Sequence, residues 1–378
     1  MSSGTNLSRA WQRLFAEERD AWLLGLLRLS ISALLFFNGL RLILELLQGG
    51  YFADYFHLPL LPERWLPGKT GYSSLLGLQT LAALCAFVGV WPREALLVGS
   101  TLGMYFLLCD RLQYHNNRYE LLLLTFLLAF TPCDRSFLLV RGRSHTLSHE
   151  QRVAPTFARR LFQIQVSLVY LVSSGGKWLD ADWRSGQVLF LRFARAPEIW
   201  AQNGLPLPAW ASELVTSAWF GSLAAKAAIA SELFIALGMW LPKTRRLALW
   251  LGVMFHASIE LGARVELFSW LMVASYLSFL VPEVRERRFE FAPGRPRAER
   301  LARFVRWFDW CARFEVLPLS SATEDGPHCY VTTREGQRTS GALAVARVAE
   351  ALPLLFPLWL PLWLFAKLST RARAASSA

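Results

Sequence analysis

The feature that most constrains this chain is a succession of apolar runs, each near the length needed to cross a bilayer and each separated from the next by a polar segment. The runs fall at 22–47, 73–90, 95–112, 119–132, 160–178, 218–241, 246–260 and 267–282. A helix needs about 20 apolar residues to traverse the hydrocarbon core. The pattern therefore predicts an all-α polytopic membrane domain of about eight transmembrane helices. Two runs are short, so tilt or buried ionisable residues must be accommodated there. With 54% hydrophobic and only 18% charged residues, the composition excludes an ordinary soluble domain. The net charge of +12 would point to nucleic acid only if it covered a solvated face. Here the arginines collect between apolar runs, so the expected partner is the lipid bilayer and not nucleic acid.

That charge distribution also predicts orientation. Lys and Arg concentrate in 1–21, 91–94, 133–159, 242–245 and after 282, which puts the N-terminus and the C-terminal region on the cytoplasmic side. Residues 1–21 hold Arg9, Arg13, Glu17, Glu18, Arg19 and Asp20 with no small-residue cleavage site, and read as a cytoplasmic lead-in rather than a cleaved signal. The segments 110–120, 177–186 up to about 217, and 260–266 then face outward, and aromatic residues at those helix ends suit the interface.

After Pro282 the chain becomes charged and its periodicity changes. It reads strand, loop, amphipathic helix, strand, then strand, a turn at Glu335-Gly336, strand, and a helix from Gly341. The expected organisation is a lead-in at 1–21, a membrane domain at 22–282, a small α/β cytoplasmic module at 283–351 and an apolar segment with tail at 352–378. Residues 352–368 are apolar but contain Pro353, Pro357 and Pro361, which favours a membrane-surface or module-docking segment over a ninth span. Cys85, Cys109, Cys133, Cys311 and Cys329 form no CxxC pair, so neither a disulfide framework nor a metal site is expected.

Ionisable residues inside apolar runs are the candidates for chemistry. Lys177 ends one run. It either snorkels to the headgroups or, if desolvated, acts as a general base. Asp180 and Asp182 follow closely and would stabilise its ammonium form. His256 has Glu260 one turn on, too few ligands for a metal. His115, Asn116, Asn117, Arg118 and Tyr119 make a polar cluster at a helix end. Lys226 and Glu232 are six residues apart, point to different faces and are expected to pair across helices. Arg28, Arg41 and Glu45 in the first run have the same standing.

Taken together these residues resemble a known family. The segment "GGKWLDADW" (175–183) is similar to the lysine-bearing segment of the vitamin K-dependent gamma-glutamyl carboxylases, "HNNRYELLLL" (115–124) resembles their Asn-Asn-His motif, and "FHASIE" (255–260) their late Phe-His segment. The resemblance covers about residues 20–282, the region called HTTM (horizontally transferred transmembrane) in bacteria, and implies a bacterial inner-membrane protein. It implies quinol-dependent oxygenation coupled to carboxylation of a peptide glutamate at the outer face, with reduced vitamin K or another quinol, O2 and CO2 as co-reactants and a secreted peptide as substrate. The residues carried over are Lys177 as base, His256, His115 and Asn117 as proton-handling or hydrogen-bonding groups, and Asp180 and Asp182 as orienters. Trp178, Trp183 and Tyr119 stand on the cofactor side. The sequence departs from the family where paired lysines are replaced by Lys177-Trp178, and where Asn117 stands in place of the histidine. These departures favour an alternative of another class, a non-catalytic membrane protein that binds a peptide or takes part in its maturation or export.

The C-terminal module resembles the DCC thiol–disulfide oxidoreductase-like family, which is thioredoxin-like, through "FEFAPGRPRAERLARFVRWF" (289–308) and "REGQRTSGALAV" (334–345). In that family the first loop carries a CxxC. Here residues 292–298 hold no thiol, and thiol exchange needs both an attacking and a resolving sulfur. A degenerate docking or regulatory module is the expectation.

Overall fold

A computed structural model describes residues 17–53, 56–138, 149–202, 204–263, 265, 267–281, 283–319 and 327–376. Arg9 and Arg13 of the lead-in, Pro282, and positions 264 and 266 of the last outer segment lie outside the described residues. A short strand β1 (Glu18–Asp20) precedes four helices: α1 (Trp22–Leu47), α2 (Lys69–Val88), α3 (Pro92–Cys109) and α4 (Asn116–Ala129). Strand β2 (Val153–Pro155) pairs antiparallel with β1 and leads into α5 (Phe157–Leu179), α6 (Ala218–Gly238), α7 (Arg245–Ala263) and α8 (Leu267–Ser275). Helices thus occupy all eight apolar stretches. Three helical segments, Trp22–Phe52, Lys69–Val88 and Ala218–Gly238, are long and apolar enough to cross a membrane. The other five are shorter or more polar, α4 having 14 residues and α8 having 9.

One core runs through this domain, built on Leu27, Ile31 and Leu35 of α1, Leu121, Leu124 and Leu128 of α4, and Phe162 and Val166 of α5. Arg28 is fully buried within it. Its guanidinium donates to the carbonyls of Ala86, Phe87, Cys133, Ser136 and Phe137. Two of these lie in the last turn of α2, where backbone carbonyls lack helical partners and a cation is favoured. Arg28 is therefore a structural tie between elements.

Between α5 and α6 run four short helices, Ala181–Ser185, Gln187–Phe193, Ala196–Gln202 and Ala209–Val215. Gly186 separates the first two with φ +87°, and a Cβ there would stand 2.5 Å from the Ser222 nitrogen of α6. Only glycine permits both the left-handed backbone and this approach. The contact fastens the segment after Lys177 onto α6.

The module contains β3 (Arg287–Phe291), α9 (Pro296–Phe308), β4 (Phe314–Pro318), β5 (Cys329–Thr332), β6 (Arg338–Ser340) and α10 (Gly341–Ala351). The sheet order is β4-β3-β5-β6. Strands β3 and β4 are parallel, and the other pairings are antiparallel. Helix α9 starts with Pro296, suited to a first helical position, and buries Ala298, Ala302 and Val305 on one face against Phe289 and Phe314 of the sheet. Burial pushes the Cys311 thiol up to about 11.

Residues after α10 join the two cores. Leu352 and Leu355 pack in the module, Phe356 packs on the membrane domain, and Trp250 of α7 donates its indole N–H to the Pro357 carbonyl at 2.8 Å. Glu350 of α10, 5% exposed, lies 2.8 Å from Arg246 of α7, 2.9 Å from Arg347 and 3.7 Å from Arg287 of β3. The last helix, α11 (Trp359–Ser376), carries Pro361 in its first turn, where the missing N–H costs little.

Candidate functional site

Helix α5 carries a polar stripe. Gln163, Ser167, Tyr170, Ser174 and Lys177 recur every three or four residues, the spacing that aligns side chains on one helical face. At its upper end Lys177 Nζ lies 2.8 Å from both carboxylate oxygens of Glu232 on α6 and donates to Ser173 Oγ at 2.5 Å. Ser173 Oγ donates to Glu232 Oε1 at 3.0 Å, so the three groups close a ring. The lysine also stands 5.0 Å from the centroid of the Trp183 ring, within cation–π range. Its place in the last turn of α5 suits the negative end of the helix dipole. Glu232 is buried, with 6% side-chain exposure against 18% for Lys177, so each charge depends on the other for compensation.

One to two turns below, Tyr170 OH meets His256 Nε2 of α7 at 2.6 Å and Tyr276 OH at 2.5 Å. All three residues are buried. His256 Nδ1 has no hydrogen-bond partner among the described residues, and the phenyl rings of Phe255 and Phe268 stand edge-on to its imidazole. Ser174 donates to the Ile229 carbonyl of α6 and Trp240 donates to Ser167. The stripe therefore draws α6 and α7 against α5 through polar contacts inside an otherwise apolar domain.

The remaining expected residues sit elsewhere. Asp180 accepts from the backbone N–H groups of Asp182 and Trp183, which makes it the cap of the helix that follows α5. Both aspartates are exposed, and the ion pair of Lys177 goes to Glu232. Trp178 is 62% exposed. His115 caps α4, its Nδ1 accepting from the Asn117 N–H at 3.3 Å. His115, Asn117 and Arg118 line a cavity of about 750 Å3 with Arg41, Glu45 and Tyr72. Neither Lys177 nor His256 lines that cavity. Tyr119 is exposed beside Tyr114. Lys226 bonds Ser222 of its own helix at 3.1 Å, and Arg41 pairs with Glu45 at 2.8 Å. Glu260 shares a helix with His256, yet the imidazole's bond goes to Tyr170. Among the described residues, no group of three or more His, Cys, Asp or Glu comes together.

Residues 16–283 match the profile of the HTTM domain, and the matched stretch contains α1 to α8 with both polar sites. The chain belongs to the HTTM family. Membership relates it to the gamma-carboxylase-like membrane proteins and makes it a multi-pass membrane protein. No curated protein and no solved structure matches the chain.

Within the HTTM domain, Glu232 as the partner of Lys177, together with Ser173, Tyr170 and Tyr276, went unassigned by sequence reasoning. The signal was present in the three-and-four spacing along α5, which marks a second, polar face on a helix of the membrane domain. Chemically, a lysine held between a carboxylate and a hydroxyl can pass a proton to either oxygen of Glu232.

Proposed function

We propose that this protein is a membrane-embedded, vitamin K carboxylase-like enzyme that oxygenates a reduced quinone and modifies a peptide at the outer face of a bacterial inner membrane. The reading includes eight spans with both termini cytoplasmic, and a thioredoxin-like module without a CxxC pair that serves docking. The module's strand order and its one parallel strand pair support that part. The observation that carries the function is the Lys177–Glu232 contact at 2.8 Å, because a compensated ion pair inside an apolar helix bundle is retained at a cost. A quinol, when bound, supplies the oxidisable ring that reacts with O2. The donor set fits such a group: an amine that can shed its proton to Glu232 is a base for a phenolic hydroxyl, and Trp183 offers an aromatic wall beside it. Lys177 takes the hydroxyl proton, Glu232 accepts the proton that frees the amine, and Ser173 holds both in register. Carboxylation by CO2 at a peptide glutamate follows from the family relationship.

The reading is tested by epoxide formation from a vitamin K-type quinol and O2 with the purified protein in lipid, comparing Lys177→Ala and Glu232→Gln. Product from the parent chain that falls by about 100-fold or more in Lys177→Ala, in the range of general-base losses, is the expected result. Absence of epoxide from folded protein across several quinols overturns it. That outcome moves the assignment to the second reading, a non-catalytic protein that binds a peptide or takes part in its maturation. The second reading is favoured by the symmetric contact of Lys177 with both Glu232 oxygens, which also suits a purely structural bridge.

A further inference from the structure

At the opposite end of α5 lies a cavity of about 280 Å3 lined by Arg19, Arg159, Arg160, Arg245, Gln163 and Trp240, among others. It is framed by the start of α5, the start of α7, the end of α6 and the residues following α8, with Arg19 arriving from β1. Four guanidinium groups meet there. The nearby carboxylate is Glu17, already engaged by Arg19 Nη2 at 2.9 and 3.0 Å. Arg19 Nε is buried and has no hydrogen-bond partner among the described residues. Arg159 is 8% exposed and donates Nε to the Ser278 carbonyl and Nη2 to the Leu280 carbonyl. Arg245 donates to Met239 and Trp240 carbonyls, and Arg160 donates to Gln163 Oε1 at 2.9 Å with its guanidinium 5.8 Å from the Trp240 ring centroid.

These positions are unfavourable for cations in the chain alone. Arg159 and Arg160 lie in the opening turns of α5, and Arg245 is the first residue of α7. Neither helix has an acidic residue in its first turn. Helix N-termini carry partial positive charge and favour anions. Like charges at this density repel unless an anion joins them. Backbone carbonyls orient Arg159 and Arg245 without neutralising them, and among the described residues that line the cavity there is no carboxylate.

We propose that this cavity is a binding site for a phosphate-bearing anion at the membrane surface, with the phosphate held among Arg19, Arg159, Arg160 and Arg245. On the eight-span reading proposed above, its place at the ends of membrane-domain helices puts it where phospholipid headgroups lie, and planar guanidinium forks suit phosphate oxygens. A free phosphate ester shares that chemistry.

The experiment uses the full chain in neutral detergent and follows thermal unfolding by tryptophan fluorescence. It titrates short-chain phosphatidylglycerol, short-chain phosphatidylcholine and inorganic phosphate separately. A saturable rise in melting temperature with phosphatidylglycerol and none with phosphatidylcholine is expected. Arg160→Gln, and separately Arg19→Gln, should each weaken half-saturation about tenfold through loss of one charge-assisted contact. These two positions are chosen because Arg159 and Arg245 also brace the backbone. A response to phosphatidylglycerol but not to inorganic phosphate identifies a lipid headgroup; a response to both identifies a general phosphate site. An equal response to the zwitterionic lipid, or undiminished affinity in both variants, overturns the proposal. The readout is independent of quinol chemistry, so it stands or falls apart from the enzymatic reading.

Discussion

At the Leu179 end of α5 one lysine meets one carboxylate, with a serine closing the ring; at the Phe157 end four arginines line one cavity, and one of them, Arg19, pairs with Glu17. Among the described residues the same helix thus presents one site where the charges pair and one whose lining holds four arginines and no carboxylate. A complete pair in an apolar bundle sets geometry and offers a proton path, and removing either member leaves an uncompensated charge. A site in deficit gains from an added anion and gains also from losing one of its own cations. Opposite mutational signs at the two ends are therefore the signature of the difference.

The largest effect should come from Glu232→Ala, which strands Lys177 in a partly buried position. Unfolding in detergent should show a loss of about 3 kcal/mol, with much of it restored in the double variant Lys177→Met/Glu232→Leu; a loss no greater in the single variant than in the double would break the contrast. Next, Gly186→Ala forces a left-handed backbone on alanine and drives a Cβ into the α6 backbone. A loss of at least about 1 kcal/mol is expected, together with greater exposure of Trp183 to a fluorescence quencher. At the other end, Arg160→Gln measured without anionic lipid should change stability by no more than about 0.5 kcal/mol or increase it, whereas Lys177→Gln should be clearly destabilising.

The smallest effect concerns a third pairing, Glu283 with Arg287 at 2.8 Å. Burial raises the Glu283 pKa, but the charges of Arg287 and Arg313 outweigh it and hold the carboxyl below its ordinary 4.5. A depressed carboxylate contributes stability that is present above the ordinary value and is lost as pH falls through the folded one. Melting temperature should be level above pH 5 and decline below about pH 4, and Glu283→Gln should flatten part of that decline.

Much of the fold was legible because it rests on local pattern. Apolar runs gave seven helices within a few residues of those observed and an eighth, 267–282, whose α-helical part ends at Ser275, and alternation with turn residues gave the strands and helices of the module. The site was legible only in part. Lys177 stood out as a charge ending an apolar run, but its partner is 55 positions away, and pairing across helices leaves no mark in local spacing. Asp180 and Asp182 attracted attention by proximity in sequence, yet the chain leaves helical geometry at Asp180 and turns their carboxylates to capping and solvent. His115 and Asn117 carry a motif resemblance, while the cavity they line is formed with α1 and α2 rather than with the Lys177 end of α5. The arginine cluster was read as a topology signal, and its convergence on one cavity depends on four elements meeting.

Glu350 reaches three arginines, one of them Arg246 in the membrane domain, and Phe356 seats the chain beyond α10 in the membrane core. The family by which this protein is recognised ends at residue 283, yet the folded object does not end there. Inheritance and folding draw their borders in different places. A shortened chain cut at the family limit would keep every residue by which it is classified and would expose the seam that Leu352, Phe356 and the Glu350 carboxylate now seal.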